Sequence, residues 1–235
     1  MLSVGVDRSR PRAIEDYVKA IDYLAGERAV VRAVDVAHHL KISAASVSQF
    51  RPVLLADGLI ATGAALRLTA RGRALAHKMN RRHGVIETFL HESLAVPLDR
   101  LHAEAERLEH VMSDDVVERL AALTGDPACN PLGHAIPRRD VTRRSARIPA
   151  RSFSLARTEP GASVVVASID DDDSACVRAL AARRVLPGLA ATVTSVGERG
   201  EVRLRAGGGR VIALPPSLAS RVRCVHPSTN DGGAP

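Results

Sequence analysis

Aromatic side chains make up only 2% of this 235-residue sequence, and tryptophan is absent. Stacking of bases on aromatic rings is therefore disfavoured as a mode of nucleic-acid binding. The three cysteines (Cys129, Cys176 and Cys224) stand far apart. That spacing argues against a disulfide framework and against a thiolate zinc site. No apolar run approaches the roughly 20 residues of a membrane span, and the opening MLSVGVDRSRPR lacks the apolar stretch of a signal peptide. The expectation is a soluble, cytoplasmic protein with no membrane partner. No HExxH, GxSxG or P-loop pattern is present, so the sequence does not read as an enzyme.

What the chain does contain is an ordinary apolar content of 46% and enough length for two or three small domains. The net charge of +7 invites a nucleic-acid reading. However, seven arginines against one aspartate fall between Arg138 and Arg157, which leaves the remainder nearly neutral. The charge describes a connector and does not by itself show that a folded domain binds DNA.

Apolar residues Ile14, Tyr17, Val18, Ile21 and Leu24 recur at helical spacing, with Gly26 as a stop. A short helix over 33–40 follows. Ser43 is then placed to cap a third helix that runs to Gly58. Two strand-like pieces, LIAT (59–62) and LRLT (66–69), flank a short turn. Helix, turn, helix and hairpin is the pattern of a winged helix-turn-helix. Pro52 lies inside the third helix, where a kink or a shorter helix is expected. Helical signals resume from Ala70 to about Leu123, interrupted by Pro97, with Asp99 as a cap. After a Pro-, Gly- and Arg-rich stretch, the segments ASVVVASI, ATVTSV, EVRLRA and RVIALP read as strands of a small antiparallel barrel.

In HAEAERLEHVMSDD, the residues His102, Glu106, Glu109 and His110 fall on one stripe of a helix, and His83 and Glu87 repeat the four-residue spacing upstream. Imidazole and carboxylate are ligands for first-row divalent metals. A solvated helix face carrying Glu and His is the plainer alternative.

RRHGVIETFL, HAEAERLEHVMSD and NPLGHAIP together resemble the diphtheria-toxin-repressor family of metal-dependent regulators. The EDYVKAIDYL helix and the SAASVSQF turn-helix match the same family in the same order. The resemblance covers 13–137 well and 160–226 more weakly. It implies a mainly α protein with an all-β C-terminal barrel. Its parts are a winged helix-turn-helix DNA-binding domain (1–75), a helical metal-binding and dimerisation domain (76–137), an arginine-rich linker (138–159), an SH3-like domain (160–226) and a disordered tail (227–235).

The resemblance also implies two metal sites. The primary one falls on Asp16, Glu106, Glu109 and His110, and the second on His83, Glu87 and His102. Asp173 from the C-terminal domain is the first choice to complete the second site, with Asp171, Asp172 or Cys176 as alternatives. Asp16 and Glu106 stand where iron-sensing members carry Met and Cys. Hard oxygen ligands suit Mn(II), so Mn(II) is expected ahead of Fe(II), with Zn(II) or Co(II) as surrogates. Lys19 stands where short manganese sensors supply a Glu, which argues against their two-metal cluster.

Ala45, Ser46, Ser48, Gln49 and Arg51 at the start of the third helix are the candidate DNA-reading residues. Gln can read adenine, small side chains can meet thymine methyls, and Ser and Arg can hold phosphates. The wing TGAAL lacks a basic tip. The implied function is a homodimeric repressor that binds a double-stranded, palindromic operator when loaded with metal and so controls metal homeostasis. The rivals are a winged-helix regulator without metal control and a metal-dependent hydrolase.

Overall fold

The structure is a computed structural model, and the residues it describes are 9–139 and 152–227. Most of the expected arginine-rich linker, and the expected tail beyond Pro227, lie outside the described residues. The chain forms two units, Met1–Arg82 and His83–Pro235.

In the first unit, α1 (Ser9–Glu27) buries Tyr17, Val18, Ile21 and Leu24 along one face. It does not stop at Gly26. The amide of Arg28 still bonds to the Leu24 carbonyl at 2.9 Å, and a glycine in a helix costs only about 1 kcal/mol. The second helix, α2 (Ala33–Leu40), follows as expected. Its first turn is closed by the Asp35 carboxylate, which accepts from the Arg32 amide at 2.8 Å. Ser43 caps α3 (Ala44–Ala56), its hydroxyl accepting from the Ser46 amide at 3.0 Å. The helix runs through Pro52 instead of ending there. Pro52 and Ser48 are exposed, so water can take the carbonyl that the missing amide leaves behind. Tyr17 stacks on Phe50 with ring centroids 4.6 Å apart, which fastens α3 to α1.

The wing is smaller than the two expected strands. It holds a single bridge, Ile60 to Leu68, flanked by amide bonds from Ala61 to Arg67 (2.8 Å) and from Thr69 to Leu59 (2.9 Å). Thr69 then leads into α4 (Ala70–Leu94), its hydroxyl accepting from the Gly72 amide at 3.1 Å.

In the second unit, the end of α4 packs with α5 (Leu98–Leu108) through Ile86, Leu90, Leu101 and Ala105. It packs with α6 (Asp114–Leu123) through Val85, Val117 and Ala121. Asp99 does not cap α5. It stands in the first turn, where Arg178 grips its carboxylate at 2.7 Å.

The C-terminal part is a six-stranded antiparallel sheet in the order β1-β6-β2-β3-β4-β5. The four expected strands are β2 (Ser163–Ile169), β3 (Ala190–Val196), β4 (Val202–Ala206) and β5 (Val211–Leu214). Val202, Leu204 and Ala206 point inward while Arg203 and Arg205 point out, the alternation of a half-buried strand. Two short strands, β1 (Phe153–Ser154) and β6 (Val222–Val225), and two helices, α7 (Ser174–Ala182) and α8 (Pro216–Ala219), carry no separate expectation from the sequence. Among the described residues the fold is mainly helical with one SH3-like β domain, and no helix is long and apolar enough to cross a membrane.

Gly72 tests the base of the wing. Replacing a helical glycine by alanine normally stabilises by about 1 kcal/mol. Here a Cβ would overlap the Leu59 carbonyl oxygen, which is backbone and cannot swing away. Gly72→Ala is predicted to destabilise the protein by about 1–3 kcal/mol, read as a lower urea midpoint. A raised midpoint would show that the contact is absent.

Candidate metal centre

His83 and Glu87 are one turn apart on α4, and His102 is on α5. With Asp171 they form a group whose ligand atoms all lie within 4.8 Å of one another. Glu87 is fully buried, and its Oε1 stands 3.2 Å from His83 Nε2. Asp171 Oδ2 is 3.7 Å from His102 Nδ1.

The stripe expected from His102 to His110 divides. The helix ends at Leu108, and Glu109 and His110 occupy the turn behind it, although the Glu109 amide still bonds to the Ala105 carbonyl at 2.9 Å. The turn carries the chain toward Ser113, which caps α6. It brings Glu109 Oε1 to 3.4 Å from His110 Nε2, with Glu106 in the same group. The fourth residue expected with these three, Asp16, lies on α1 in the first unit, with Arg12 Nε 3.9 Å from its carboxylate.

His83 connects the two groups. Its Nδ1 is 2.7 Å from Glu109 Oε2 and 4.0 Å from Glu106 Oε1, while its Nε2 faces Glu87. One imidazole thus lies between two carboxylates that are both fully buried.

Asp173, the first choice for completing the second site, is not part of the group. It caps α7, accepting from the amides of Ala175 (2.9 Å) and Cys176 (3.3 Å), and Cys176 Sγ lies 3.2 Å from its other oxygen. Asp172 is exposed, with its amide on Asp170 Oδ1 at 3.1 Å. Asp170 pairs with Arg221 at 2.6 Å. Of the run DDDD, only Asp171 reaches His102. Asp173 is held by the backbone amides it caps and Asp170 by an arginine, while Asp172 is exposed.

Two contributors were not singled out from the sequence. Asn130 donates to Glu87 Oε2 at 2.5 Å. His134 Nδ1 stands 3.2 Å from Asp171 Oδ2. Burial works against a charged His134, but the Asp171 carboxylate, by charge and hydrogen bond, and then Glu87 outweigh it and raise the imidazole to about 9. Burial likewise opposes the Asp171 charge, and His134, then His102 and His83, hold that carboxyl well below the usual carboxylate range. The signal in the sequence was the NPLGHAIP motif itself, which carries both residues.

The donor set fits a divalent cation. Buried ionised carboxylates are costly unless paired, and four imidazoles (His83, His102, His110 and His134) surround Glu87, Glu109 and Asp171. Glu87 Oε1 and His102 Nδ1 are buried yet have no hydrogen-bond partner among the described residues. Such atoms are the ones a metal ion would satisfy.

Residues 69–138 match the family described as iron dependent repressor, metal binding and dimerisation domain, and 153–226 match the FeoA domain. The iron-dependent repressor of Mycobacterium leprae is 31% identical over 221 residues, which is 89% of this chain and 95% of that protein. The diphtheria toxin repressor of Corynebacterium diphtheriae is 32% identical over 67% of this chain and 72% of its own length. A manganese-dependent transcriptional repressor, solved in complex with manganese, superposes with a TM-score of 0.81 at 30% identity, covering 90% of this chain and 99% of that one.

The chain belongs to the diphtheria-toxin-repressor family.

In this family member the start of α3 offers Ala45, Ser46, Ser48 and Gln49 to solvent. Two of the hydroxyls are partly committed, Ser46 to Ser43 Oγ at 2.8 Å and Ser48 to the Ala44 carbonyl at 2.9 Å. Arg51 differs from the other four. Its guanidinium donates to the Gly63 carbonyl at the wing turn, so it ties the wing to α3.

The buried carboxylates give a prediction about stability. Glu87→Gln removes a buried charge while its amide oxygen can still accept from Asn130, so metal-free protein is predicted to unfold at the same temperature or higher. Saturating divalent metal should stabilise the wild type by about 2.7 kcal/mol at one hundred times the dissociation constant, and the variant by less. Differential scanning calorimetry with and without chelator decides it, and equal metal-induced shifts in both proteins would reject a ligand role for Glu87.

Proposed function

We propose that this repressor-family chain acts as a homodimer that binds a palindromic operator in cytoplasmic DNA when loaded with Mn(II), with Fe(II) as the second candidate metal and Zn(II) or Co(II) as surrogates. In this reading residues 1–75 contact DNA, 76–137 bind metal and dimerise, and 160–226 lend a ligand. The observation that carries it is the pair of fully buried carboxylates, Glu87 and Glu109, on either side of His83.

The primary site is assigned to Glu106, Glu109 and His110 with Asp16, the last by family resemblance. The second is assigned to His83, Glu87, His102 and Asp171. The primary set is rich in hard oxygen donors and has no thiolate, which suits Mn(II), the metal named for the solved relative. Manganese binds weakly among first-row ions, so selectivity rests on geometry and metal supply.

Metal acts through charge. Without it, the carboxylates of one site repel. A divalent cation turns that repulsion into attraction and ties α1, beneath the DNA-reading helix, to the helical domain. Linkage of this kind provides about 1–3 kcal/mol, or roughly 5- to 150-fold in affinity. Two copies present two recognition helices to successive major grooves. Exposed Val111, Val116 and Leu123, on and beside α6, support an apolar contact between copies. Ala45 and Gln49 are the assigned base readers, Ser46 and Ser48 contact phosphate, and Arg51 holds the wing in place.

The test is an operator-binding titration with Mn(II), Fe(II), Zn(II) and chelator in parallel. Wild-type protein is expected to bind at least fivefold more tightly with Mn(II) than in chelator, and Asp16→Ala and Glu109→Ala to lose that difference while keeping their circular dichroism. Metal-dependent binding by both variants at the wild-type level would reject the primary-site assignment. Equal wild-type binding in chelator would favour a regulator without metal control.

A further inference from the structure

The loop from Asn130 to His134 joins two parts of the second unit that contribute to the second site. It is closed on itself by a bridge between Cys129 and Ala135 and by the Asn130 amide on the His134 carbonyl at 2.9 Å. The Asn130 side chain accepts from the amides of Leu132 (3.2 Å) and His134 (2.7 Å) through Oδ1. That fixes which end of the amide faces outward, and Nδ2 is left to hold Glu87.

The other side of the loop lies against β2. The Leu132 carbonyl accepts from the Ile169 amide at 3.0 Å. Gly133, at φ +86°, comes so close to the Ala167 carbonyl that any Cβ would overlap it. The register of β2 slips between Val166 and Ser168, at the point of this contact. Two residues beyond Ile169 stands Asp171, whose Oδ2 meets His134 Nδ1 at 3.2 Å and His102 Nδ1 at 3.7 Å. His134 also bonds to the backbone of Ile169. Asn130 thus holds a helical-domain carboxylate, and four residues on His134 holds the one from the C-terminal domain.

We propose that His134 is a positioning residue of the second metal site: it holds Asp171 against His83, Glu87 and His102, so that filling the site and docking the C-terminal domain are linked. This rests on the reading above that the second group binds metal. A carboxylate has lone pairs enough to accept from His134 and still present an oxygen to a cation. His102 Nδ1 has no hydrogen-bond partner among the described residues, and so can turn to the ion while His134 stays on Asp171. Outer partners of this kind are typically worth about 10- to 100-fold in metal affinity.

The test titrates full-length protein with Mn(II), reading free Mn(II) by its paramagnetic resonance, together with hydrogen exchange at the Ile169 amide. His102→Ala first defines which class of binding belongs to the second site. His134→Ala is expected to weaken that same class about 10- to 100-fold, to leave the other class unchanged, and to abolish the Mn(II)-induced slowing of exchange at Ile169. His134→Phe, which keeps a ring without an N–H, should behave like the alanine variant, and His134→Gln, which restores a donor, should recover most of the affinity. Wild-type Mn(II) affinity in both the Ala and Phe variants overturns the proposal, as does failure of Gln to do better than Phe. If His102→Ala itself changes no class of binding, the second site falls, and with it the reading on which the proposal stands.

Discussion

The candidate metal centre depends on one imidazole between two carboxylates that water does not reach. His83 has Glu87 on its Nε2 side and Glu109 on its Nδ1 side, and both acids are fully buried. A chain folds with such groups inside only if the interaction returns what desolvation costs. Hydrogen bonds from Asn130 and His83 supply part of that return. Glu87 Oε1 and His102 Nδ1, buried without a hydrogen bond among the described residues, are where a divalent ion would supply the rest. The candidate metal centre is in that sense an unfinished piece of core.

The same arrangement makes the two groups of candidate ligands electrostatic neighbours. Glu109 gives one oxygen toward His110 and the other to His83. A ligating histidine whose second nitrogen meets a carboxylate has its ring orientation and tautomer fixed by that contact. A shift of the His83 ring toward Glu87 would therefore be felt at Glu109 in the other group. The stripe of candidate ligands that reads from the sequence as a single helix face loses Glu109 and His110 to the turn beyond Leu108, where they group with Glu106, while His102, also on α5, belongs to the other group.

The C-terminal sheet contributes through position more than through its own chemistry. Its core is apolar and unremarkable for a small β domain. What matters is that β2 ends where the Asn130–His134 loop lies, which delivers Asp171 to the imidazoles. Arg178 on Asp99 and Arg221 on Asp170 hold the flanking segments by ion pairs. Arg51, bonded to the wing turn, and Arg178, reaching from α7 to Asp99 on α5, show arginine used here as a strut, in a protein whose net charge invites a nucleic-acid reading.

The sequence by itself determined the elements whose stability is local. Apolar spacing set the buried face of α1, α2 fell on the expected residues, and Ser43 capped α3 because a serine before a helix start satisfies an orphan amide wherever the helix is placed. Residue chemistry and motif order were enough to suggest the metal and the family. Only the tertiary structure decided among near-identical neighbours. In DDDD the choice of Asp171 over Asp173 depends on which carboxylate a capped helix, an arginine and a loop have already claimed, and none of those partners is local in sequence except the cap. The roles of Asn130 and His134 were hidden for the same reason: their partners are 43 residues back along the chain, for Asn130 on Glu87, and on the far domain, for His134 on Asp171. Periodicity reports which face of an element is buried. Which buried group meets which is fixed only when the elements pack.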